Sequence, residues 1–208
     1  WWGTTSTERR LAPVASEIAG RDVEVDCQTL WGALIDTQSR EGEVHFDADG
    51  IPDPRIFLTY DTCKRLKRFA GKSRHAELDC LASVDWSQPM SYDDPCYERA
   101  SKTVYAVLIL AHEAYHTAGV QNEAVANCFA TQSMAYAASA LGAAPDEAET
   151  IAVTMMHLLP LQRGSYQTSD CVSGSGLDLH PETPAFPTEL PIAAAHGKGG
   201  RKGIASGA

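Results

Sequence analysis

No stretch of this chain approaches the roughly 20 consecutive apolar residues that a membrane-spanning helix needs. The longest apolar run, Val104 to Ala111, has eight. Cationic residues are scarce as well: 17 Lys and Arg against 27 Asp and Glu give a formal net charge of −10. A nucleic-acid binder needs a basic face for phosphates, and the basic residues here are scattered, so no nucleic-acid partner is expected. The one cluster, Lys64-Arg65-Leu66-Lys67-Arg68, reads as the solvated side of a helix. There is no Cys-x-x-Cys pair, which removes the usual signature of structural zinc and of thiol redox chemistry. Internal repeats are absent too.

What is present bounds the fold. The chain has 208 residues, of which 44% are apolar; this suffices for one domain with its own core. Six cysteines, Cys27, Cys63, Cys80, Cys96, Cys128 and Cys171, form an even set spread over the central part of the chain. Three disulfides in an oxidising compartment are expected, which places the chain outside the cell, secreted or surface-anchored. Six cysteines allow fifteen connectivities, and the sequence does not choose between them; six reduced thiols in a cytosolic protein are the alternative. The first residues, Trp1-Trp2-Gly3, carry no initiator methionine. The expectation is an upstream signal peptide or membrane anchor, and an anchor of that kind is the only membrane contact expected.

Local patterns divide the chain into a leader or marginal helix over 1–20, a domain over 21–179, and a Pro/Gly-rich tail over 180–208 that cannot bury enough to order itself. Alternation predicts short strands at Val23–Cys27 and Gly42–Phe46, and a third at Arg55–Tyr60 after the turn Pro52-Asp53-Pro54. A helix is expected over Thr29–Gln38, and another from an Asp61 cap to Ala70. Asp94, with Pro95 at the first helical position, opens a long helix that stops at Gly119. Asn122 then caps a helix running to Leu141, and a last helix starts at Pro145. The fold class is α+β: a small, mostly helical domain in which a few short N-terminal strands pack on a buried helix, followed by a second site-bearing helix.

The chemistry-bearing motif lies at the end of the long helix, in His112-Glu113-Ala114-Tyr115-His116. A four-residue step stacks both imidazoles on one helix face, as a zinc ion requires. Glu123, seven residues on, heads the next helix; Gly119 lets the chain turn so that this carboxylate can fold back as third ligand. Zn2+ held by His112, His116 and Glu123 keeps one position for water. Glu113 cannot point at the same metal and is placed as the general base that takes the water's proton. Asn127, at i+4 from Glu123, is a candidate to orient a ligand histidine. Tyr166 and His157 are candidate hydrogen-bond donors to an oxyanion, with a part-buried aromatic and a structural histidine as the plainer readings. His45, His75, His180 and His196 have no partner at ligand spacing and receive no role.

His-Glu-x-x-His followed by Glu-x-x-Ala-Asn-x-Phe-Ala resembles the zincin metallopeptidases of the gluzincin type, with a second motif most similar to that of IrrE-like peptidases. The resemblance covers about 25 residues around His112 to Phe129, and the segment between the two motifs is shorter here than is usual in gluzincins. It implies a zincin-like domain that hydrolyses peptide bonds, with a peptide or protein as substrate. It also implies an edge strand over the cleft, for which Arg55–Tyr60 is the candidate. Gly119 fits the metzincin pattern too, but Asn122 stands where that pattern has its last histidine and reads as a cap. Met134, Met155 and Met156 lie inside helical patterns and read as core. The alternative function is a non-catalytic zinc-binding module used for stability or partner binding.

Overall fold

The first helix, α1 (Ser6–Ala19), begins where Thr5 and Glu8 close a capping box and ends at Gly20 in a left-handed conformation. The computed structural model describes residues 4–30, 41–85, 93–162 and 164–181. The segment read from sequence as a leader or marginal helix is thus a regular helix that belongs to the core. Leu11, Val14, Ala15 and Ile18 recur at helical spacing and are all buried.

Three strands follow: β1 (Glu24–Cys27), β2 (Gly42–Phe46) and β3 (Pro52–Leu58). β3 is central, parallel to β1 and antiparallel to β2. The sequence expectation of Arg55–Tyr60 as an edge strand is therefore corrected. Val25, Val44, Ile56 and Leu58 are buried on one sheet face, and α1 and the long helix pack against the sheet. A central position lets β3 satisfy backbone groups on both sides, and β2 becomes the edge. The helix expected over Thr29–Gln38 lies mostly outside the described residues.

Helix α2 (Tyr60–Phe69) is capped by Thr59, whose hydroxyl accepts from the Thr62 N–H, so the cap sits two residues before the expected Asp61. A 3-10 turn (Asp79–Ser83) leads to the long helix α3 (Pro95–Thr117), opened as expected by the Asp94 carboxylate on the Cys96 N–H. α3 is the pillar of the domain. Val104, Val107, Leu110, Ala111 and Ala114 are fully buried, and every other helix, β2 and β3 pack on it. Asn122 caps α4 (Glu123–Gln132), its side chain accepting from Val125 N–H. The single helix expected to run on to Leu141 breaks at Ser133, and α5 (Met134–Leu141) starts anew. The Ser133 hydroxyl donates back to the Phe129 carbonyl and accepts from the Tyr115 hydroxyl of α3, a buried arrangement that competes with continuous helix. Helix α6 (Pro145–Leu158) completes the bundle, with Met134 and Met155 fully buried and Met156 half-buried.

The six cysteines pair as Cys27–Cys63, Cys80–Cys96 and Cys128–Cys171. The bridges join β1 to α2, the 3-10 turn to the start of α3, and α4 to the C-terminal segment. They span 36, 16 and 43 residues; constraining loops of that size contributes about 3–4 kcal/mol each in a chain-entropy account. The arrangement is consistent with an extracellular protein, and no described helix is long and apolar enough to cross a membrane. The last described residues are docked by hydrogen bonds from the buried Gln132 amide to Leu177 O and from Leu179 N–H to the same side chain. His180, placed by sequence at the start of the tail, is buried; most of the expected tail lies outside the described residues.

Candidate metal centre

Helix periodicity brings His112 and His116 onto the same face of α3, with their rings edge to face at 4.5 Å between centroids. Gly119, at φ 97°, reverses the chain, and the Asn122 cap starts α4 so that Glu123 sits in its first turn facing back. Three ligand atoms then converge. His112 Nε2 lies 2.9 Å from His116 Nε2 and 3.0 Å from Glu123 Oε2, which is 3.4 Å from His116 Nε2. Donors at 2.0–2.1 Å from a tetrahedral ion stand about 3.3 Å apart, so this triangle fits an ion without rearrangement of the backbone. These are the only three side chains among the described residues grouped to hold a metal in this way.

The protonation of His116 favours the same use. His116 Nδ1 faces the Val120 carbonyl at 2.5 Å, and a carbonyl can only accept. The proton of neutral His116 is therefore on Nδ1, which leaves Nε2 a lone pair aimed at the centre. Burial, reinforced by His112, holds the His116 pKa below its ordinary value, so the ring stays neutral. The hydrogen bond from His112 is the main influence lowering the Glu123 pKa, and it outweighs partial burial. A neutral His116 and an ionised Glu123 are forms that a divalent ion selects.

Asn127 does not do what its spacing suggested. It is buried, but its amide donates to Tyr166 O at 3.0 Å and to Gln162 Oε1 at 3.3 Å. His112 Nδ1 is buried with no hydrogen-bond partner among the described residues. The i+4 position keeps Asn127 on the Glu123 face of α4 and at the cleft, where the segment after α6 takes its amide protons. Its role is to hold that segment, and with it Tyr166, whose ring lies 5.8 Å from the His112 ring. Tyr166 thus stands at the site; His157 is exposed on α6 and is not among the cleft residues.

The ligands lie in an open cleft of about 1070 Å³. One wall is β2 with the turn after it, the other α3, the start of α4 and the Leu161–Tyr166 segment. Gly42 in this wall belongs to no motif. A β-carbon at position 42 would stand 2.7 Å from Glu113 Oε1 and 2.8 Å from both Glu113 Cγ and Ile109 Cγ2. The Glu113 carboxylate therefore occupies the space that Gly42 leaves, beside the ligands but turned toward β2. In sequence, an isolated glycine at the head of an alternating strand is the one signal for such a close approach. On the same wall the Phe46 ring meets His116 edge to face, at 6.1 Å between centroids. The Gln121 side chain donates to Gly50 O at 3.1 Å, fastening the β2–β3 turn to the loop between α3 and α4.

His75, given no role from spacing, is a buried structural strut. Nδ1 lies 2.6 Å from Glu147 Oε2, Nε2 donates to Phe69 O, and the ring stacks on Phe69 at 4.0 Å. This fixes α2 to α6, away from the cleft. No family model, curated protein or solved structure matches the chain.

Proposed function

We propose that this chain is a zinc-dependent peptidase acting outside the reducing cytosol. The observation that carries the reading is the convergence of two histidine nitrogens and one carboxylate oxygen within 2.9–3.4 Å, in an open cleft that also holds the buried Glu113. His112, His116 and Glu123 would hold the ion, and two imidazoles with one glutamate form a donor set that hydrolytic zinc takes. When bound, zinc supplies a Lewis acid that polarises the scissile carbonyl and acidifies water. Glu113 accepts the water's proton as the water adds to the carbonyl carbon, and returns it to the amide nitrogen as the C–N bond breaks. Gly42 keeps its carboxylate between the ligands and β2, where substrate would lie.

The edge strand supports a peptide over other acyl substrates. Thr59 N–H donates to Glu41 O, which makes Glu41 and then Glu43 the residues whose backbone pairs with β3. The N–H and C=O groups of Gly42 and Val44 consequently point to the other side, where no described strand pairs with β2. An extended peptide can add there by main-chain hydrogen bonds alongside Glu113 and the ligands.

The test is cleavage of a peptide library by zinc-loaded wild type and Glu113→Gln, with metal content measured on both. The expected result is turnover by wild type that a chelator abolishes, and a Glu113→Gln chain that keeps its zinc and loses activity by at least about 100-fold. Undiminished turnover in that variant would refute the role of Glu113. A zinc-loaded wild type that cleaves nothing would leave the site as a non-catalytic metal module.

A further inference from the structure

The cleft wall carries a charge pattern that the proposed chemistry does not use. Gly42 faces Glu113 and Ile109 of α3, Val44 is buried, and Phe46 meets His116, so the even positions of β2 face the metal side. The side chains at 41, 43 and 45 therefore stand on the opposite face. They are Glu41, which is exposed, Glu43, which is half-buried, and His45, whose Nδ1 lies 3.9 Å from Glu43 Oε1. A strand added where no described strand pairs with β2 would place alternate residues directly across from Glu41 and Glu43, on that same face. Cross-strand neighbours of this kind attract when oppositely charged and repel when alike.

The cleft has the same sign: Asp47, Glu113 and Glu123 line it, Glu41 and Glu43 border it, and no lysine or arginine does so among the described residues. The chain as a whole carries −10, so the field outside the cleft also draws cations.

We propose that the cleft selects cationic peptides, with Lys or Arg favoured at two substrate positions spaced two apart, one read by Glu43 and the other by Glu41. This rests on the peptidase reading of the same cleft and adds its class of substrate. The main chain of β2 fixes the peptide's register, and the two carboxylates discriminate among side chains. A glutamate in either position meets a like charge and is rejected. Because Glu41 is exposed and Glu43 only half-buried, the preference weakens as salt screens it.

The experiment uses one fluorescent peptide scaffold, known to be bound or cleaved, with Lys, Ala or Glu at each position in turn. Turnover is measured with zinc-loaded wild type, and binding by anisotropy with zinc-loaded Glu113→Gln. The expected wild-type order is Lys over Ala over Glu, at about 2–5-fold per favourable pair, falling toward unity at about 1 M salt. Glu41→Gln with Glu43→Gln removes most of the Lys-over-Glu preference. Glu43→Lys reverses it at one position, an outcome misfolding cannot produce. Cleavage without charge preference, or a preference that survives both substitutions, overturns the selectivity and leaves the peptidase standing. Lys-selective binding that depends on Glu41 and Glu43, with no turnover by wild type, upholds the selectivity and overturns the peptidase.

Discussion

Replacing Gly42 by alanine separates the placement of Glu113 from the binding of metal. Position 42 has no positive φ, so the backbone accepts alanine and the whole effect comes from one added methyl group. That methyl would stand 2.7 Å from Glu113 Oε1 and 2.8 Å from Glu113 Cγ and Ile109 Cγ2. Carbon atoms in contact settle at about 3.5–4.0 Å, so Glu113 or the edge of β2 must move by about 1 Å. Overpacking of this kind costs about 1–3 kcal/mol, and a misplacement of about 1 Å in a reacting group can cost on the order of 100-fold in rate. The three atoms nearest that methyl belong to Glu113 and Ile109, not to His112, His116 or Glu123. The expected outcome is a Gly42→Ala chain that keeps its zinc, melts about 2–10 °C lower, and loses kcat/KM by about 10–100-fold. Elemental analysis, thermal melting and peptide turnover on the same preparation check all three. Wild-type melting together with wild-type turnover would refute the close approach of Glu113 to β2.

Two further substitutions test how the site is supported. Asn127→Ala strips the hydrogen bonds to Tyr166 O and Gln162 Oε1, leaving part-buried acceptors unpaired at about 1–3 kcal/mol; thermal melting should fall by several degrees with zinc content retained. Loss of zinc instead would mean that Asn127 acts on the ligands after all. Glu8→Gln tests the N-terminal helix. Burial pushes the Glu8 pKa up, but the N–H groups of Cys27 and Thr5 outweigh it and hold the value below normal. A folded-state pKa below the unfolded one stabilises fully above about pH 4.3, and that stability is lost as pH falls through the lowered value. The gap between wild type and Glu8→Gln in urea unfolding should therefore be wide at neutral pH and close in acid; a gap constant with pH would show that the charge of Glu8 contributes nothing.

The parts of this molecule legible in the sequence were those set by local rules. The Asp94 and Asn122 caps, the Gly119 reversal and the four-residue histidine step each depend on neighbours within a turn or two, and each stands where spacing put it. The parts not legible depend on distant partners. Nothing local marks Ser133 as a helix break, because the break involves Tyr115 of another helix. Spacing carried Asn127 to the correct helix face but not to its partners, since the groups that claim it lie 35 and 39 residues away. The edge position expected of Arg55–Tyr60 fails for the same reason: the segment is β-rich enough for either an edge or a centre, and the parallel partner that makes it central, Glu24–Cys27, lies about 30 residues upstream. The stripe of α1 is only four residues long, Leu11, Val14, Ala15 and Ile18, in a segment otherwise rich in Thr, Ser, Arg and Pro, so little in the sequence marks it as core.

The most direct test of the central claim is the metal content of the chain itself. Protein expressed in zinc-containing medium and desalted should carry one zinc per chain, and Glu123→Ala and His116→Ala should each lower zinc affinity by at least about 10-fold while the disulfide-linked fold persists. A wild-type chain that binds no zinc, or a His112→Ala/His116→Ala/Glu123→Ala chain that binds as much, would contradict it.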